Sequence, residues 1–271
     1  MSSQIDLFVA IAGLFRAITN LHDKDVVHTT QEWMTQLQTR LDEWRPQVAA
    51  ALAQCEKNQR ESSQVLAHGG WVGMERHFTD SQARSAVETC KSKGEAGMNN
   101  AIAEYFNTND CALLSEMTEG WSNVPYLRDR QLIIADAVSA HREGRFTLTV
   151  PSLLPLAEGL SVEILGNTGG NQNPVKAVAR DWKQREAEVW AQVFADVIED
   201  VIYKRYDFRS DPAPYLNRHG ILHGRIPDYA TRENSTRVFL LTDAIADLWL
   251  EKQRTLANVK GSFEAQASAV P

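Results

Sequence analysis

Pro214-Tyr215-Leu216-Asn217-Arg218-His219-Gly220-Ile221-Leu222-His223-Gly224-Arg225 reads as one short helix between two punctuation marks. Proline suits the first helical position and glycine the position just past the end. Pro214 and Gly224 therefore bracket a helical turn or two that carries Arg218, His219 and His223. A turn through Pro227 leads into a second helix that begins near Thr231 or Arg232 and ends near Trp249. Glu233 falls in its first turn, where the helix dipole favours an acid. Val238, Leu241, Ile245, Leu248 and Trp249 give it a buried stripe.

On the short helix, His219 and His223 are four apart and share a face, whereas Arg218 and His223 are rotated by roughly 140°. The three converge only loosely on one bound group. A phosphodiester suits them, because a guanidinium grips phosphate oxygens and an imidazole moves protons near neutral pH. RNA cleavage or nucleotide binding is the chemistry this set implies.

Arg218 and His223 also stand at the spacing of an Arg-x4-6-His signature. With Leu216 to Arg225, Asp228-Tyr229-Ala230-Thr231, Asn234-Ser235 and the upstream Leu153-Leu154-Pro155-Leu156-Ala157-Glu158-Gly159, it resembles the HEPN superfamily of nucleotide-binding helical domains. The likeness is to an uncharacterised bacterial group and covers about the last half of the chain. It implies a metal-independent endoribonuclease with no cofactor, acting on RNA as a homodimer whose site is built from two protomers. A role as a toxin or phage-defence effector follows by family analogy, with an antitoxin or regulatory partner that the sequence does not identify. On this likeness Arg218 and His223 are the catalytic residues, with Arg218 stabilising the phosphorane. Asn217 and His219 position the phosphate, and Arg225 and Glu158 support it. Arg218 and His223 are then expected to matter for chemistry more than for folding.

Outward from this centre the chain reads as all-α. Residues 1–122 form an N-terminal helical region of unknown role, 123–255 a HEPN-like helical bundle, and 256–271 a frayed tail. Residues 4–20 have one apolar helical face. Thr29 and Glu32 suggest a capping box ahead of Met34, Leu37, Leu41, Trp44 and Val48, whose alternating spacing of three and four makes a seam that Pro46 should kink or restart. Gly69-Gly70 breaks the pattern. Helices follow over about 81–93, 96–107 and 110–119, and another runs from Pro125 to Glu143 with Gly144 as its stop. Phe146 to Val150 alternates as a short strand or link, and Ser152 opens the next helix. There Glu158 interrupts an apolar stripe of Leu154, Val162 and Leu165 and needs a partner, either Arg218 or a backbone amide. The glycines between Asn167 and Asn173 lack dinucleotide or Walker spacing. Pro174 opens a helix to about Lys204.

The net charge of −7 argues against non-specific coating of nucleic acid. The local balance from Lys204 to Arg237 is +3, seven basic residues against four acidic, a phosphate-attracting patch. Cys55, Cys90 and Cys111 are scattered and point to reduced thiols in a cytoplasmic protein. The apolar run Leu7 to Phe15 lacks the marks of a signal peptide, and no segment reaches the ~20 apolar residues of a membrane span. His68 and His77, near Glu75, read as solvated loop histidines.

Two other functions stand beside the ribonuclease. One is a noncatalytic module that binds nucleotide or RNA, or only dimerises. The other is a zinc protein using His219, His223 and Glu158, although no acid follows His219 as a zincin base would.

Overall fold

The computed structural model describes the backbone of residues 29–166, 173–185, 189–207, 209 and 216–268. Helices account for 84% of the described residues, with no strand among them, so the fold is all-α. The expected helix over residues 4–20, Pro214 and most of the glycine loop lie outside the described residues.

The chain divides into two compact units, Met1–Glu61 and Ser62–Pro271. The first holds most of helix α1 (Thr29–His68), which begins where the capping signal put it and continues past Pro46. No new helix starts there, because the Asp42 carbonyl, which Pro46 has no N–H to serve, lies on an exposed turn open to solvent. Leu41, Trp44 and Val48 are the half-buried line of this surface, flanked by exposed residues.

In the second unit, α2 (Asp80–Gly120) opens on a capping box: Gln82 N donates to Thr79 Oγ1, and Thr79 N donates to Gln82 Oε1. It breaks at Gly94 and again over Thr108–Cys111, which divides it into the three helices expected. Pro125–Arg128 (α3) and Gln131–Arg142 (α4) stand in place of one continuous helix, and Gly144 ends α4 with φ 71°.

Phe146–Leu165 (α5) corrects the expected strand at 146–150. Tertiary bonds override the alternating pattern. Thr149 Oγ1 donates to Ala137 O, and the Thr147 carbonyl, which Pro151 cannot serve, accepts from Tyr229 Oη at 3.3 Å. Reading through the two prolines also makes α5 a helix of 20 residues, long and apolar enough by length and composition to cross a membrane, contrary to the expectation of no such segment. Its buried face is Val150, Leu153, Leu154, Ala157, Leu160 and Ile164, while Val162 is exposed, so the stripe expected through Val162 is not the core face. Glu158 lies on the flank of that face.

Pro174–Arg185 (α6) and Val189–Val197 (α7) follow, and α7 widens into a π-turn over Ile198–Ile202. Arg218–Leu222 (α8) and Arg232–Ser268 (α9) complete the chain. Helix α9 neither ends near Trp249 nor frays at residue 256, but continues to Ser268. Thr231 caps it, its hydroxyl accepting from Asn234 N at 3.1 Å.

One core serves residues on both sides of position 122. Leu66, Trp71, Phe106 and Leu114 are fully buried in the same cluster as Leu160, Phe194, Ile202, Phe239 and Leu241. Close approach seals it at Gly73, whose φ of 69° and position leave no room for a side chain: a Cβ would stand 2.8 Å from the carbonyl oxygen of Leu240.

Candidate functional site

Helix α8 has only five residues, too few to persist without support from both ends. Asn217 supplies the first support. Its Oδ1 accepts from Gly220 N at 2.9 Å, and its Nδ2 donates to Val201 O at 3.1 Å and Lys204 O at 2.9 Å. One buried amide thus caps α8 and satisfies the carbonyls freed where the π-turn ends. This leaves Asn217 no donor for a phosphate, and with no exposure it cannot reach one. The phosphate-positioning role expected of Asn217 is therefore replaced by a structural one.

The second support is the glycine expected at the far end. Gly224 has φ 65°, Arg225 N donates to Gly220 O at 2.7 Å, and Gly224 N donates to Ile221 O at 3.0 Å. These are the paired bonds of a Schellman motif. The Arg225 side chain is exposed outside it. Gly220 lets the turn lie flat on its neighbours, since a Cβ there would stand 2.3 Å from Ile226 Cδ1 and 3.1 Å from Tyr206 Cδ1.

Helix α5 brings Glu158 to Arg218. Arg218 Nη2 donates to Glu158 Oε2 at 2.9 Å, while Nε lies 2.7 Å from Oε1 in a charge contact whose N–H is not aligned for a hydrogen bond. Side-chain exposure is 24% for Arg218 and 19% for Glu158, so solvent screens the pair weakly. The acid holds the arginine, as the orienting role required, and a phosphate would have to compete with a carboxylate for that guanidinium.

His219 and His223 are both exposed, with ring centroids 5.2 Å apart and planes within 20° of parallel. His219 lies below its ordinary pKa, chiefly through partial burial, then through the charges of Arg218 and His223, with Glu158 opposing. Near-parallel rings cannot both aim an in-plane lone pair at one ion between them, so this geometry gives no support to the zinc reading. Among the described residues no three His, Cys, Asp or Glu side chains form a metal-binding group.

Beside His219 a cavity of about 380 Å³ is lined by Asn173, Lys176, Tyr203, Arg205, Tyr206 and His219. Tyr203 is 4% exposed, and its hydroxyl has no hydrogen-bond partner among the described residues. Burial and then the Glu158 carboxylate push that hydroxyl well above the ordinary range for tyrosine, with Arg218 opposing.

Two polar centres were not foreseen. His77 is not a solvated loop residue: its Nε2 lies 2.9 Å from Asp243 Oδ2, and Trp121 Nε1 donates to Asp243 Oδ1 at 2.7 Å. His68 is exposed as expected. His141 is buried between Ser235 Oγ at 2.6 Å and Asn107 Oδ1 at 2.8 Å, and burial lowers its pKa to about 4. The signal for His141 was its place on the Ile134, Ala137 face of α4. No local signal marks His77, whose partner comes from α9. The chain matches no family model, no curated protein and no solved structure.

Proposed function

We propose that this protein is a metal-independent endoribonuclease of HEPN type, with His223 as its proton-transfer group. The observation that carries the proposal is the exposed His219 and His223 pair on a helix end fixed by Asn217, Gly224 and the Arg218–Glu158 contact. A phosphate laid across the two ring edges meets a nitrogen from each. His219, shifted toward its neutral form, is a hydrogen-bonding partner for the substrate. Arg218, its charge balanced by Glu158, acts as a positioning residue.

In the reaction the RNA 2′-oxygen attacks phosphorus as its proton passes to an imidazole. The bond from phosphorus to the 5′-oxygen breaks as that oxygen takes a proton from an imidazolium. The products are a 2′,3′-cyclic phosphate and a 5′-hydroxyl, and DNA, lacking the 2′-hydroxyl, is not cleaved. In-line displacement wants base and acid on opposite sides of phosphorus, whereas His219 and His223 of one chain lie side by side. A two-fold homodimer with the α8 helices facing each other supplies the opposite side from a second copy of His223. The test is RNA cleavage in EDTA by wild type and His223→Ala.

A noncatalytic RNA- or nucleotide-binding role is the second reading. It is favoured by the Glu158 carboxylate, which neutralises the guanidinium that would otherwise stabilise the charge developing on a phosphorane.

A further inference from the structure

We propose that the cavity between α6, the segment after the π-turn and α8 is a mononucleotide subsite, which holds a nucleotide phosphate against Lys176 and Arg205 and its base against Tyr206. The volume of about 380 Å³ lies within the ~300–1,000 Å³ typical of small-ligand pockets and is sufficient for one nucleotide unit.

The lining is selective in charge. Lys176, Arg205 and His219 come from three different segments, and no acidic residue lines the cavity among the described residues. Lys176 and Arg205 form no ion pair with the described residues. Two cationic side chains, Lys176 and Arg205, meet at one opening, which favours an anion there. Helix α6 starts at the same wall. Its first amides are already taken, since Asn173 Oδ1 accepts from Val175 N at 3.1 Å and Lys176 N at 3.2 Å, so the helix adds its positive end but no donor.

Tyr203 closes the inner wall, with its hydroxyl shut off from solvent behind the ring. Tyr206, half-buried on the same lining, offers an aromatic face on which any base stacks. His219 joins the cavity to the His219 and His223 pair, so a strand cleaved there would place an adjoining nucleotide in the cavity. That continuity rests on the endoribonuclease reading, but occupancy of the cavity by a nucleotide does not.

The experiment is calorimetric titration of the full-length chain with adenosine 5′-monophosphate, adenosine and inorganic phosphate, without metal. The monophosphate contains no cleavable phosphodiester, so its binding is read separately from any ribonuclease activity. It should bind more tightly than adenosine, and Lys176→Ala/Arg205→Ala should weaken it at least tenfold with the thermal midpoint unchanged. Tyr206→Ala should weaken the monophosphate and leave inorganic phosphate unaffected. The proposal is overturned if the monophosphate binds no more tightly than adenosine, or if the Lys176 and Arg205 variant binds it as wild type does.

Discussion

Glu158 and Arg218 stand 60 residues apart in sequence and meet at two points, Nη2 to Oε2 at 2.9 Å and Nε to Oε1 at 2.7 Å. The contact ties α5 to α8 and makes Arg218 part of the fold as well as of the site. Removing one partner of a fully buried pair costs ~3–5 kcal/mol, and the residual exposure here brings Glu158→Gln to roughly 2 kcal/mol. Arg218→Ala should therefore destabilise as well as inactivate, contrary to the sequence expectation. In urea unfolding, Glu158→Ala/Arg218→Ala should cost less than the sum of the single variants by at least ~1 kcal/mol. Strict additivity would mean that the contact is not energetically coupled.

Asn217→Ala should cost about 2–3 kcal/mol, because it removes a helix cap and leaves the Val201 and Lys204 carbonyls without their donor. Asn217→Asp keeps the acceptor for Gly220 N but loses both donated bonds, so it should rescue little. Chemical denaturation of both variants checks this, and near-native stability for Asn217→Ala would contradict the capping account.

The acid limb of stability should carry the signature of His141. Its folded pKa of about 4 lies below the unfolded value of 6.5, so the unfolded chain takes up the proton first as pH falls. Native stability is then lost from pH 6.5 downward, and the loss is complete below about 4. The difference corresponds to roughly 3 kcal/mol. His141→Gln should flatten this part of the stability–pH curve relative to wild type. An unchanged slope in the variant would remove His141 as its source.

Much of this was legible where the chemistry is local. Gly144 and Gly224 each mark a helix end through a positive φ that neighbouring residues suffice to predict. Glu158 was legible too, since a lone acid among apolar residues needs a partner and Arg218 was an available cation. What failed depended on distant packing. Thr147 and Thr149 look like strand residues until Tyr229 and Ala137 satisfy them as helix. Asn217 looks like a ligand until the carbonyls of Val201 and Lys204 claim its amide. The His77 bond to Asp243 joins residues 166 positions apart, beyond any pattern of spacing.

Because His219 and His223 of one chain lie side by side, the composite site proposed above would require two copies. Light scattering at low micromolar concentration should give twice the chain mass of 30.4 kDa. Cleavage by a species that stays at the single-chain mass would contradict the two-copy site and the role given to the second His223.

The most direct test of the central claim is cleavage of single-stranded RNA in EDTA by wild type and His223→Ala, with the product ends identified. The account predicts wild-type cleavage to 2′,3′-cyclic phosphate or its hydrolysed 3′-phosphate, and a loss of about 10²-fold or more in His223→Ala with helical content retained. No cleavage by the wild type, equal cleavage by the variant, or activity abolished by EDTA and restored by zinc would contradict it.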